Sequence, residues 1–561
     1  MGTRIRRQLA LASVLAAAAV LTACGQAIAA GWINTATAAM PLVQAIDIGA
    51  LATNAPMHIS VALKLPDTAA VKRLLKAQNT PGSPQYRTVL TPAQFNVRYA
   101  PSAASAAAVT RYLASRGFTN IQVAPNRLFV SAHGTAALIQ SAFNTKLERF
   151  SQRGRKIFVN TKPAQVPAAL DGIVLAVLGL NDVVPGGHPK AVTPCDVSTP
   201  VCLRLTYDPA TYWQTYDVGS VPAATQTAIA IMAEGDVSSV ITDLRQFESV
   251  NGLPAVPVSI VPVGAASTDT SGIDEWDLDT QYTTGNVKQL YIYAVGSLTD
   301  EDTTLEFNAW VTQDVAPVAN ASFGGCEFSA YLDGSMAASD QVFLQGSVQG
   351  QTMFASTGDT GSFCSVGTPN GVPVGAPFVS YPASSPYVVG VGGTTLLSKA
   401  NGSYSGEIAW YAGGGGLSLF ETSPTWQSGI VPTSSLGLRA LPDVSMDADP
   451  NTGAIVYVGG ASEVIGGTSL SSPLAAGVWA RLQSSHSNSL GFAAPKLYAG
   501  YAAFLGTPSG VPSAVTRLVD GFHDLLTGAN GLYTALPNYD LTTGLGTFDV
   551  TAKNALMTTA P

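Results

Sequence analysis

Ser469 stands in Gly466-Gly467-Thr468-Ser469-Leu470-Ser471-Ser472-Pro473, a glycine turn that runs into the apolar helical pattern LAAGVWARLQ. A serine hydroxyl at the mouth of a helix can act as a nucleophile, with the helix's N-terminal amides polarising a developing oxyanion. Gly466 and Gly467 allow backbone angles closed to other residues, and Pro473 is predicted in the first helical turn, where a missing N–H costs nothing. The same turn also reads as a plain helix cap, because Ser and Thr serve as caps. What separates the two readings is a base, since a hydroxyl is a weak nucleophile until a neighbour takes its proton.

Histidine is the usual base, and the chain has five: His58, His133, His188, His486 and His523. Three precede residue 190, His486 follows the helix after Ser469, and His523 adjoins Asp524 in a loop-like stretch, so a Ser-His-Asp triad is the weaker reading. Carboxylates offer another route. Asp274, Glu275, Asp277 and Asp279 fall within six residues, and Glu275 and Asp279, four apart, share one face of a helix, where each perturbs the other's proton affinity. Read alone, the cluster is also a solvated acidic helix start. A third element, Thr357-Gly358-Asp359-Thr360-Gly361, ends a strand-like run in a glycine turn, where an Asp is commonly a turn former.

In this order the three elements resemble the sedolisins, or serine-carboxyl peptidases, which are subtilisin-like in fold and act in acid. Glu275 and Asp279 match that family's E-x-x-x-D pair, residues 357–361 its S-G-D-x-G turn, and residues 466–473 its S-G-T-S-x-x-x-P segment, with Thr357 and Gly466 each replacing a Ser. The resemblance implies that Ser469 attacks the scissile carbonyl, Glu275 takes its proton, Asp279 orients Glu275 and Asp359 completes the oxyanion hole. Asp359 can donate only as a neutral acid, hence an acidic working range. Asn320-Ala321-Ser322-Phe323-Gly324-Gly325-Cys326-Glu327 resembles the family's S-x-S-W-G-x-x-E strand end, with Phe323 where Trp is usual. No histidine stands in the glycine-flanked setting of a subtilisin-type enzyme.

Near the C-terminus, residues 523–546 resemble the family's calcium loop. Asp524 and Asp540 are the side-chain ligands so implied, and Leu525, Leu536 and Asn538 align with main-chain ligands; glycine is usual at the last two. Calcium takes six to eight oxygens, and a polar loop closed by Asx turns is the other reading.

The elements that must position these groups read as α/β. The runs QTAIAIM, QLYIYAV, MFASTG and YVVGVGG alternate with helical stretches, as in a mostly parallel sheet covered on both faces. Residues 31–182 resemble the family's activation domain, a small α/β (ferredoxin-like) fold, through Thr80-Pro81-Gly82-Ser83-Pro84-Gln85-Tyr86, LTPAQFNVRYAPS, the helix AAAVTRYLASRGF and the strand RLFVSAHG. Residues 183–200 read as a processing linker and 201–561 as the subtilisin-like peptidase domain.

Arg4, Arg6 and Arg7 precede an apolar run from Leu9 to Ala23, the pattern of a signal peptide cleaved after Ala29. Leu21-Thr22-Ala23-Cys24 also looks like a lipobox, so a membrane anchor enters only through a lipid on Cys24. Without Cys24 four cysteines remain, and the expected bridges are Cys195–Cys202 and Cys326–Cys364, the second clamping the loop of Asp359.

Residues 31–189 hold 15 Lys and Arg against 5 Asp and Glu, while residues 190–561 hold 10 against 31. Such a split suits a basic prodomain docked on its own acidic enzyme as an intramolecular inhibitor, rather than a nucleic-acid partner. The expectation is a secreted, monomeric zymogen, extracellular or periplasmic, that cleaves proteins and peptides. A tripeptidyl-peptidase of the same family, an inactive homologue and a secreted binding module are the alternatives. Only 11% of residues are charged, which limits acid destabilisation.

Overall fold

The computed structural model describes residues 31–42, 45–152, 154–184, 205–284, 287–365, 375–501 and 516–559. The apolar runs form one sheet in the spatial order Val258–Pro262, Gln289–Val295, Ala228–Glu234, Val318–Ala321, Thr352–Ser356, Val388–Ser398 and Tyr404–Ala409, with Val444–Asp447 also beside Val388–Ser398. Every pairing is parallel except that of the edge strand Tyr404–Ala409. Strands such as AIAIMAE and TMFAS are buried nearly from end to end, because helices cover both faces.

Chain direction then decides where chemistry can sit. Ala321 pairs with Ala355, so the carboxyl ends of Val318–Ala321 and Thr352–Ser356 lie side by side, and the segments leaving them carry Ser322 and Asp359. In open α/β sheets the crevice at such ends is where sites form. Helix Ile273–Thr283, the acidic helix, packs against helix Thr468–Ser485, the serine helix. All residues of the acidic helix from Glu275 to Thr283 are buried, which removes the reading of a solvated acidic helix start.

Residues 45–183 have their own core of Ile59, Val61, Leu113, Val130 and Ile139. It lies under an antiparallel sheet ordered Thr119–Val123, Phe129–Thr135, Pro56–Leu63, Val174–Leu178, with helices Thr68–Gln78, Ala103–Ser115 and Ala136–Ala142. Ser102 caps Ala103–Ser115 by accepting from Ser105 N, so the helix begins where its apolar pattern does. Helix Thr68–Gln78 docks on helix Ser335–Val348 of the larger domain.

The docking face differs from the charge-driven contact expected from composition. Leu65, Val71, Leu75, Phe95 and Leu128 join the larger domain's core. Buried amides do the polar work: Gln341 accepts from Leu65 N at 2.7 Å and donates to Leu63 O at 3.0 Å, and Asn126 donates to Asn308 and Gln345. The charged groups that meet across it include His58 Nδ1 with Glu301 Oε1 at 2.9 Å, Lys72 facing Asp340 and Glu421, and Lys496 over the Tyr86 ring. Burying many ion pairs would cost more desolvation than it returns, so most of the charge asymmetry stays solvated.

Buried carboxyl groups give the fold a built-in preference for acid. Burial pushes Asp277 up to about 9, Glu327 up to about 7, and Glu421, aided by Asp340, up to about 10. A carboxyl whose proton is held more tightly folded than unfolded stabilises the fold fully below its unfolded pKa, and loses that contribution as pH rises to its folded pKa. Stability is therefore expected to decline from about pH 5 to pH 9, each such group accounting for up to about 1.4 kcal/mol per pH unit. Tm measured across that range checks this, and Asp277→Asn should flatten the decline; a Tm that climbs toward neutral pH would contradict it.

Candidate active site

The serine helix starts where its sequence stops tolerating side chains. Gly467 holds φ +102°, and a Cβ there would stand 2.7 Å from Asp359 Oδ2. Gly466 is needed for crowding instead, since a Cβ would meet Pro450 N at 2.5 Å. Pro473 is not in the first turn: the helix begins at Thr468, so Pro473 sits one turn further in. There its missing N–H withholds a hydrogen bond from the carbonyl four residues back. That carbonyl belongs to Ser469, and the Ser322 hydroxyl lies 3.2 Å from it.

Ser469 is fully buried, its Oγ 3.3 Å from the carbonyl of Ser322, to which it donates. Glu275 and Asp279 approach from the acidic helix, 3% and 0% exposed. Asp279 Oδ1 accepts from Ser322 Oγ at 2.6 Å; Asn320 Nδ2 donates to the same Ser322 oxygen at 3.0 Å and Ser472 Oγ donates to Asn320 Oδ1 at 2.6 Å. This chain of small polar groups ties the central strand to both helices.

Asp359 faces them from its glycine turn. Its Oδ1 accepts from Thr468 N at 2.7 Å and from Thr468 Oγ1 at 2.8 Å, while Thr468 Oγ1 accepts from Gly358 N at 3.0 Å. The first free amide of the serine helix is thus spent on Asp359, not left open as expected. Asp359 is half-buried as a residue, yet its Oδ2 is enclosed and unpartnered, as are Glu275 Oε1 and Asp279 Oδ2.

Burial, then the charge of Asp279, holds Glu275 well above the usual carboxylate range, and the Ser469 hydroxyl pulls the other way. Burial raises Asp279 too, against hydrogen bonds from Ser322 and Asn320. Burial raises Asp359, opposed by both Thr468 donors. Two coupled carboxyls that keep a proton between them can accept another group's proton in acid, and a third, neutral carboxyl can donate.

Phe323, in place of Trp, is buried between Trp276 and Phe307 with ring centroids 6.3 and 6.1 Å away, so the apolar wall survives without an indole. A small, partly open cleft lies beside Phe323, Gly324 and Gly325, lined also by Asp300, Thr303 and Tyr381. The Cys326–Cys364 disulfide is formed and spans the turn of Asp359; closing a loop of 38 residues is worth about 4 kcal/mol on a chain-entropy account. Cys24, Cys195, Cys202 and most of the linker 183–200 lie outside the described residues.

No described histidine reaches Ser469. His58 pairs with Glu301, and His133 packs edge-on to His58 at 5.1 Å. His486 caps the far end of the serine helix, about 25 Å along its axis. His523 stacks on Tyr404 at 3.8 Å, and burial lowers its pKa to about 4. His188 lies outside the described residues.

The calcium loop brings Asp524 and Asp540 into one region, but one oxygen of Asp524 and both of Asp540 are engaged by N–H and O–H donors. Asp524 Oδ2 accepts from Arg517 Nε and Asn538 N; Asp540 Oδ1 accepts from Thr542 and Thr543, and its Oδ2 from Leu536 N. Among the described residues no group of three or more His, Cys, Asp or Glu is arranged to hold a metal. This donor set, with a guanidinium already on Asp524, does not fit calcium.

Residues 44–183 match the family described as Pro-kumamolisin, activation domain, and residues 264–497 match the subtilase family. The chain is 40% identical to sedolisin of Pseudomonas sp. (strain 101), over 93% of this chain and 89% of that relative. It is 37% identical to xanthomonalisin of Xanthomonas sp. (strain T-22), over 92% of this chain and 67% of that relative. A solved structure of Pseudomonas sedolisin, a serine-carboxyl proteinase complexed with two molecules of pseudo-iodotyrostatin, matches with a TM-score of 0.57 at 37% identity, covering 63% of this chain and 98% of that one. No helix among the described residues is long and apolar enough to cross a membrane.

Proposed function

Because the chain belongs to the sedolisin family, and is therefore a serine-type peptidase carrying its own propeptide, we propose that it is an acid-active endopeptidase working through Ser469, Glu275, Asp279 and Asp359. Ser469 Oγ attacks the scissile carbonyl as its proton passes to Glu275, and the oxyanion is met by the proton on neutral Asp359. Glu275 then protonates the leaving amine. Water attacks the acyl-enzyme, its proton again taken by Glu275 and returned to Ser469 Oγ as the acid product leaves. Asp279, anchored by Ser322, orients Glu275 and shares its proton.

One observation carries the reading: three enclosed carboxyl oxygens without partners surround a buried serine that no described histidine approaches. Burial keeps these carboxyls protonated further into the neutral range than exposed ones, which suits work in acid.

Export is part of the same reading. Residues 1–29 act as the signal, with a lipid anchor only if Cys24 is modified; residues 31–182 are the inhibitory prodomain; cleavage in 183–200 frees a monomeric enzyme, residues 201–561, outside the cytoplasm. Acid protonates Asp340 and so removes the negative charge facing Lys72, since Glu421, held up at about 10, is already neutral at neutral pH. His58 works the other way: Glu301 raises its pKa, so that contact strengthens on mild acidification. Because the face is mainly apolar, acid is expected to trigger processing where salt at neutral pH does not.

The test follows full-length chain at pH 3 to 7.5, with and without added salt. Processing and hydrolysis of an acid-denatured protein should begin together in acid, and Ser469→Ala should remain full length and inactive. Processing at neutral pH in high salt would contradict the docking account, and a neutral activity optimum would contradict the carboxyl mechanism.

A further inference from the structure

In the loop that closes the peptidase domain a positive side chain stands where the resemblance implies a divalent ion. Arg517, on strand Thr516–Val519, is paired in register with Asp524 on strand Phe522–Leu525. Its Nε donates to Asp524 Oδ2 at 2.6 Å, and its Nη2 donates to Asn538 Oδ1 at 2.7 Å. Asp524 is 1% exposed and Arg517 19%, so the pair is largely out of water.

Asn538 explains why the two departures belong together. The position needs a left-handed backbone, φ +69°, which glycine adopts freely and Asn tolerates better than other residues. Glycine would offer the loop only a carbonyl there. Asn adds a side-chain oxygen, and that oxygen is what Arg517 binds, while Asn538 N closes on the same Asp524 oxygen. One guanidinium therefore spans the two chain segments that a divalent ion would otherwise draw together, and its fixed fork suits that geometry.

We propose that Arg517 is this loop's resident cation, so that the C-terminal loop is held in place without calcium. The consequence reaches the active site through backbone contacts. Asn530 in the same loop accepts from Ser362 N at 2.8 Å and donates to Gly413 O at 3.1 Å, while Gly414 N donates to Gly358 O at 2.8 Å. A Cβ at Gly361 would stand 2.4 Å from Asn530 O, so loop and Asp359 turn are in direct contact.

Thermal unfolding of the full chain, with excess EGTA or with millimolar calcium chloride, tests this without any substitution. Tm should be the same in both, and calorimetric titration with calcium chloride should give no binding heat. A Tm lowered by EGTA or raised by calcium would overturn the proposal. Arg517→Gln should lower Tm by several degrees, and Arg517→Lys, which keeps the charge but not the fork, by less. The pair Arg517→Gln with Asn538→Gly removes both adaptations; a double variant as stable as the native chain in EGTA would equally overturn it.

Discussion

Glu275→Gln is expected to lower kcat/KM for peptide hydrolysis by on the order of 10²- to 10⁴-fold, while the protein stays folded and Tm changes little. Glutamine fills the same volume but cannot accept the Ser469 proton. The buried Glu275–Asp279 pair already holds a proton between its carboxyls, so replacing one partner by a neutral amide costs the fold little. Ser469→Ala should go further, to a loss on the order of a million-fold in kcat by analogy with other serine peptidases. His523→Ala and His486→Ala should leave kcat/KM within a few-fold, because neither ring is near the nucleophile. If Glu275→Gln kept activity within tenfold of the parent at every pH, the base would lie elsewhere. The assay must use acid-activated enzyme, so that failure to process is not read as failure of the chemical step.

Most of this site could be read from the sequence because its parts are local. A glycine that must hold φ +102°, a carboxyl pair four residues apart and an Asp in a glycine turn each leave a short pattern, and each is found where that pattern puts it. What the patterns could not convey is which oxygens are already spent. Asp359 looks like an open turn residue in sequence, yet Thr468 occupies one of its oxygens twice over and leaves the other enclosed. Ser322 reads in sequence only as part of a strand end; its link to Asp279, 43 residues away on the acidic helix, depends on how that helix lies over the sheet. A proline after a glycine turn suggests a helix opener, whereas Pro473 lies a turn further in and frees the Ser469 carbonyl beside Ser322. The docking face is hidden from composition for a related reason. Net charge is a sum over each domain, but Gln341, Asn126 and an apolar patch, which add nothing to that sum, make the contact.

Asp359 offers the sharpest separation of roles, because Asn and Ala should behave differently at this position. Both donors from Thr468 fall on Oδ1, so the proton of the neutral acid must ride on Oδ2, the oxygen that no protein group meets and beside which Gly467 leaves room. As pH rises through the elevated pKa of Asp359 that proton is lost, and a donor becomes a negative charge facing the oxyanion. Asp359→Ala removes the donor at every pH and should cost on the order of 100- to 1,000-fold in kcat with little change in KM. In Asp359→Asn the same two donors select the amide oxygen for the Oδ1 position and turn the NH₂ toward the vacated one, giving a donor that does not titrate. That variant should keep much of its activity in acid and carry it further toward neutral pH, until Glu275 and Asp279 impose the next limit. A measured kcat profile for Asp359→Asn whose alkaline limb coincides with that of the parent would mean that some other group sets the upper pH limit, and that Asp359 holds the turn in place without donating to the reaction.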